Sequence, residues 1–199
     1  LFSRNIHRVG FEKGSYPMLD LLNAPKNINL FDLTPAWNSS SGAQLFVAYV
    51  LNHEIAVLSA SGKMLWRTEA SFDGSLNYFE YTDYQKVKHL HYLPQRILIT
   101  DTDDNGKMEV IAVKNEAGAF NVFSNFKRYK NGRIACLEWH ADSGLQTKWE
   151  TLEAQGYISD LAFADATSDG KPDLVFTVVQ NAGAGFKKPS STVVIQQLP

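Results

Sequence analysis

The feature that most restricts what this chain can fold into is a long internal repeat. The stretch Asp101-Thr-Asp103-Asp-Asn105-Gly106-Lys-Met-Glu109-Val-Ile-Ala-Val113 is matched by Asp165-Ala-Thr167-Ser-Asp169-Gly170-Lys-Pro-Asp173-Leu-Val-Phe-Thr177, 64 residues further on. The same offset of 64 in the other direction reaches Trp37-Asn-Ser39-Ser-Ser41-Gly42-Ala-Gln-Leu45-Phe-Val-Ala-Tyr49. There the glycine and the apolar run return in register while the acidic residues do not, so the loop starting at Trp37 is a degenerate third copy. A fixed period of this length marks an architecture built by stacking one supersecondary unit on the next.

Each loop runs into a short apolar segment rich in β-branched and aromatic residues: 46–50, 110–113 and 174–179. None has a helical period, and each reads as a strand buried on both faces. Extended runs at 96–100 and 157–164 precede the two acidic loops, so the unit is strand, polar loop, strand. Further strands are expected at 54–58, 63–68, 118–126, 133–139, 146–150 and 192–197, separated by Ser-Gly, Asn-Gly and Gly-rich turns. One short helix is expected over 16–23, ended by Pro25. The fold class is therefore all-β. About four strands per period is the pattern of a β-propeller built from four-stranded antiparallel blades. An immunoglobulin-like sandwich explains the strand density but not three glycines in register. The 199 residues read as one propeller-like domain, 1–199. They hold about three periods where propellers typically have about four to eight blades, so the chain is expected to be part of a longer protein. Its opening Leu1 likewise suggests a processed or trimmed product.

The acidic loops carry oxygen donors at alternate positions with glycine at the sixth place, a pattern suited to a hard cation such as calcium. In the first loop Asp101, Asp103 and Asn105 are expected to supply side-chain oxygens, Lys107 a backbone carbonyl and Glu109 a carboxylate from the start of the next strand. In the second, Asp165, Thr167, Asp169, the Lys171 carbonyl and Asp173 take the same places. Asp104 and Ser168 should point outward. The twelfth place, where an EF-hand needs a bidentate Glu, holds Ala112 and Phe176, so this is not an EF-hand. Asp, Asn and Gly are also ordinary β-turn residues, and the case for metal comes from the pattern occurring twice. The Trp37 loop keeps only serine and asparagine oxygens and is expected to bind nothing.

The Asp-x-Asp-x-Asn-Gly-x-x-Glu motif before an apolar strand, with its Asp165 relative, resembles the calcium loops of FG-GAP or VCBS-repeat proteins, whose blades also occur in integrin α-chain propellers. The specific match covers two segments of about 20 residues. The resemblance implies a calcium-bearing β-propeller, commonly secreted, periplasmic or at the cell surface, used for recognition or scaffolding more often than for catalysis. Thr167, the degenerate Trp37 loop and the absence of clear Phe-Gly and Gly-Ala-Pro motifs point to a divergent bacterial-type member. The implied function is a calcium-binding module for extracytoplasmic recognition or scaffolding, with calcium structural. The alternative is a propeller enzyme, glycan-degrading or quinoprotein-like, with its active site in the channel or on another domain. Trp66 and Trp149 lie in Gly-x-x-x-Trp-like segments resembling those of quinoprotein propellers, but no quinone-binding constellation accompanies them and they read as packing residues.

Composition narrows the remaining classes. At 44% hydrophobic and 20% charged the chain is neither disordered nor fibrous, and its net charge of −2 offers no basic field for nucleic acid. Cys136 is the only cysteine, which excludes an internal disulfide and a thiolate zinc cluster. No uninterrupted apolar run is long enough to span a membrane. There is no Gly-x-Ser-x-Gly elbow, Walker A loop or His-Glu-x-x-His, and Gly183 and Gly185 read as a hairpin tip rather than a dinucleotide site. His89 and His91 could share a strand face but lack an identifiable third ligand. Asn38-Ser39-Ser40 fits a glycosylation acceptor. The partner, an unknown protein or glycan, is expected on a face carrying the aromatic segment 72–84, read as an irregular loop; tyrosine suits such contacts through its flat apolar ring and hydroxyl.

Overall fold

The computed structural model describes residues 5–26, 28–38, 42–72, 74–117, 127–180 and 190–198. The expected strand at 118–126, the glycines of the 182–185 tip and the serines of the Trp37 loop lie outside them. The described residues are all-β: antiparallel sheets, one 3-10 turn at Leu51–His53 and no α-helix. Two compact units are present, Leu1–Ser71 and Phe72–Pro199.

The first unit contains a hairpin of β1 (Ile6–Val9) and β2 (Met18–Leu22), and a four-stranded sheet in the order β3 (Leu33–Asn38), β4 (Gln44–Tyr49), β5 (Glu54–Leu58), β6 (Met64–Ser71). The helix expected over 16–23 is instead strand β2. A helix of eight residues gains too few internal hydrogen bonds to offset its nucleation cost. The strand is fixed by pairing His7 with Leu21 and Ile6 with Leu22, and by a bidentate ion pair from Arg8 to Asp20 at 2.6 and 2.7 Å. Leu22 then reaches the core of this unit with Ile28, Phe46, Ala48, Ala56 and Leu58.

In the second unit β7 (Tyr78–Thr82) pairs with β8 (Lys88–Tyr92). A second sheet has the order β12 (Gly144–Glu150), β11 (Tyr129–His140), β10 (Glu109–Ala117), β9 (Leu98–Thr100), with β13 (Ala154–Gln155) also on β11. A third joins β14 (Tyr157–Ala164), β15 (Asp173–Gln180) and β16 (Ser190–Gln197). The expectation that 72–84 is an irregular loop is therefore corrected. Residues 78–82 of it are strand β7, and 72, 74–77 and the turn residues 83–84 run outside the strand. The hairpin closes because Asp83 Oδ1 accepts the backbone N–H groups of Gln85 and Val87, both at 2.9 Å.

The repeat places equivalent strands in equivalent roles. β4, β10 and β15 follow the three loops, and all of 45–49 and 109–113 is buried. Val47, Ala48, Val110, Ile111, Ala112 and Val113 have no exposed surface, as expected for strands covered on both faces. One face of β10 and β11 packs through Ile111, Val113, Ile134 and Cys136 against Ile158, Leu161, Leu174, Phe176 and Val178 of the third sheet. Trp149 borders this core, which agrees with a packing role.

Candidate functional site

Both acidic loops are hairpin connections at the same place in their sheets. Thr100 pairs with Glu109 where β9 meets β10, and Ala164 pairs with Asp173 where β14 meets β15. Asp101 Oδ1 accepts the N–H groups of Asp103 and Asn105 at 3.3 and 3.2 Å, and its Oδ2 accepts that of Gly106 at 2.7 Å. Asp165 accepts the N–H groups of Asp169 and Gly170 in the same way, at 3.1 and 3.0 Å. The backbone turns left-handed at Asp104 (φ 59°) and Gly106 (φ 82°), and equally at Ser168 (φ 60°) and Gly170 (φ 84°). Asp104 and Ser168 are exposed, as expected for side chains turned away from the loop interior. Gly42, one period earlier, has φ 79°. All three glycines therefore serve one left-handed position, which explains their register.

The loops differ in what their last carboxylate does. Glu109 is fully buried; its Oε2 accepts from Thr102 N at 2.8 Å and Thr102 Oγ1 at 2.7 Å. Asp173, also buried, spends Oδ2 on Ala166 N, Thr167 N and Thr167 Oγ1, each at 3.0 Å. Glutamate is one methylene longer, and its second oxygen reaches the side where Asp101 and Asp103 stand. One carboxylate oxygen from each of Asp101, Asp103 and Glu109 lies within 4.8 Å of the others. Among the described residues this is the one cluster of three His, Cys, Asp or Glu ligands, so Asp165, Asp169 and Asp173 do not converge to the same degree.

The remaining expected ligands are placed as follows. Asn105 Oδ1 accepts Lys107 N at 2.8 Å, and Asp169 Oδ1 accepts Lys171 N at 2.9 Å. Lys107 Nζ points to Glu138 at 3.2 Å, so its side chain is engaged away from the carboxylates. Thr167 uses its hydroxyl proton on Asp173.

Lys148 on β12 was missed by sequence reasoning. Its Nζ donates to Asp103 Oδ2 at 2.8 Å and to Glu109 Oε1 at 3.1 Å. Cys136 pairs with Trp149 and Leu137 with Thr147, so Lys148 is the extra residue of a β-bulge, a device that re-aims a side chain. Burial works against the Lys148 charge, but its hydrogen bonds to Asp103 and Glu109 outweigh that and hold the ammonium above its ordinary range. The same contact from Lys148 holds Asp103 below the usual carboxylate range. No local signal marks Lys148, because it lies 39 residues from Glu109 in sequence.

His89 Nε2 meets Asp83 Oδ2 at 2.7 Å, and among the described residues neither His89 nor His91 belongs to a metal-ligating cluster. Burial pushes the Cys136 thiol up to about 12, so it is not poised as a nucleophile. The aromatics of 72–84 divide: Phe72 is buried, Tyr81 stacks on His89 with centroids 5.2 Å apart, and Tyr78, Phe79 and Tyr84 are exposed. No described helix is long and apolar enough to cross a membrane. No protein-family model, curated protein or solved structure matches the chain.

Proposed function

We propose that the chain is a β-propeller, or a segment of one, whose 101–109 loop holds a structural calcium ion, and that it serves recognition or scaffolding outside the cytoplasm. The observation that carries this reading is the convergence of Asp101, Asp103 and Glu109 within 4.8 Å. The donor set suits the ion: carboxylates are hard oxygen ligands, and a loop without a twelfth-place glutamate matches the weak, millimolar affinities of extracellular modules. Asp101, Asp103 and Glu109 would hold the ion, with the Asn105 amide and Lys107 carbonyl as the expected further donors. A cation bound there would tie the loop to the first residue of β10. The 165–173 loop, alike in backbone, is the second proposed site, with Asp165, Thr167, Asp169, Lys171 and Asp173 as its expected donors. The meandering order of β3–β6 and of β9–β12 supports the blade reading. A protein or glycan partner is proposed for the exposed Tyr78, Phe79 and Tyr84 of the β7–β8 hairpin.

Thermal melting of the chelator-treated chain tests the calcium reading. A ligand specific to the folded state stabilises it by about 2.7 kcal/mol at a hundredfold excess over its dissociation constant. Saturating calcium should raise the melting temperature, and Asp101→Asn should remove part of the rise. A wild-type chain that does not respond overturns the proposal.

A further inference from the structure

We propose that Lys148 is the resident cation of the 101–109 loop, and that calcium enters by displacing its ammonium group. The inference rests on the calcium reading above.

The Lys148 ammonium bridges Asp103 and Glu109 at 2.8 and 3.1 Å, two of the three carboxylates that define the cluster. An ammonium there and a calcium ion bound by the same oxygens are mutually exclusive, since both need the same lone pairs and repel one another. The placement is built into the sheet: β11 and β12 pair regularly on either side, and the bulge falls on Lys148 itself. Glu109 is fully buried, so without a metal its charge needs a partner held in the protein. The Lys148 side chain is 21% exposed, and Asp103 beside it 40%, so the ammonium can swing into water without unfolding the strand.

The exchange leaves the loop with a consistent charge balance. Three carboxylates facing one ammonium carry an excess of negative charge, which a dication in place of the ammonium reduces. The second loop provides the internal contrast. There the neighbouring strand supplies Gln197, whose neutral amide meets Asp169 Oδ2 at 3.3 Å. Among the described residues no ammonium is paired with that loop's carboxylates, so its calcium affinity is expected to follow from its own donors. Lys148 thus lowers the affinity of the first loop while keeping the empty loop folded.

The test is calorimetric titration of calcium into chains carrying Asp165→Asn, so that only the first loop is counted, with Lys148 intact, Lys148→Gln or Lys148→Arg. Removing a competing, partly exposed ion pair should tighten calcium binding about tenfold in Lys148→Gln, while Lys148→Arg keeps the weaker wild-type affinity. Without calcium, Lys148→Gln should melt below the parent, and saturating calcium should close that gap. Binding by Lys148→Gln but not by the parent overturns both readings for the native chain, because calcium then does not displace the ammonium. Equal or weaker binding by Lys148→Gln, with the parent binding normally, overturns the inference and leaves the calcium reading intact. Binding by no chain overturns both. A Lys148→Gln chain that stays unfolded in millimolar calcium also overturns the inference, because calcium then does not replace the ammonium.

Discussion

Glu109 and Asp173 are buried carboxylates at the first residue of β10 and β15, and each is held by donors from its own loop. Their shared position was visible in the sequence because the acidic residue precedes an apolar strand at a fixed distance from glycine. The difference between them was not, because it depends on where one added methylene carries the second oxygen and on a lysine brought in by another strand. Asp83 makes a similar point on the β7–β8 hairpin. The hydrogen bond from His89, followed by the Val87 and Gln85 backbone donors, holds its carboxyl below the ordinary value. A depressed carboxylate contributes stability that is fully present above its unfolded value, about pH 4, and is lost as pH falls through the folded value. Asp83→Asn should therefore flatten the acid limb of the stability profile below about pH 4, read by urea melts at stepped pH. An unchanged acid limb would show that the pair does not form in solution.

At the scale of elements, the hairpin is the unit that the repeat encodes. Its strands were legible because apolar β-branched runs buried on both faces have no amphipathic period to mistake for a helix, and β5 and β14 fall where they were expected. The segment at β2 misled because Leu19, Leu21 and Leu22 are spaced no better for a helix than for a strand, and pairing with β1 decided the outcome. β7 was hidden by dense aromatics without alternation, although the Asp83 turn that closes it is a recognisable signal. The left-handed glycines give the element-scale prediction. A Cβ on Gly106 or Gly170 meets nothing within 4 Å, so alanine there acts through backbone conformation alone. Gly106→Ala and Gly170→Ala should each cost about 1–2 kcal/mol, measured by chemical denaturation. Gly132→Ala should cost more, because its Cβ would lie 2.5 Å from Asn115 Oδ1 and 2.8 Å from Ile158 Cγ1.

For the molecule as a whole, the described residues form one core around Phe46 and Leu58 and another around Ile111 and Leu174. In the second unit, the Asn115 side chain completes the junction between sheets: its Nδ2 donates to Gly74 O at 2.8 Å and Ile158 O at 2.9 Å, and its Oδ1 accepts Ile158 N at 2.9 Å. Asn115→Ala leaves Ile158 N without the acceptor it has in the native chain, while Gln95 Nε2 still reaches Gly74 O and Ile158 O, and should cost about 1–3 kcal/mol. Trp37 and Trp66 lie in one unit and Trp139 and Trp149 in the other, so variants retaining a single tryptophan can report each unit's melting. Asn115→Ala should lower the transition reported by Trp149 while that reported by Trp66 stays in place. A common shift of both would show that the units unfold as one. The sequence by itself determined the all-β class, the register of three left-handed glycines and the candidate ligands of the two acidic turns, because these depend on periodicity and local backbone demands. Tertiary structure alone decided which carboxylates converge, that Lys148 stands among them, and that Asn115 joins the sheets. The first depends on where the extra methylene of Glu109 carries its second oxygen, and the other two on strand register and on one bulge, which bring together residues far apart in the chain and leave no local pattern to read.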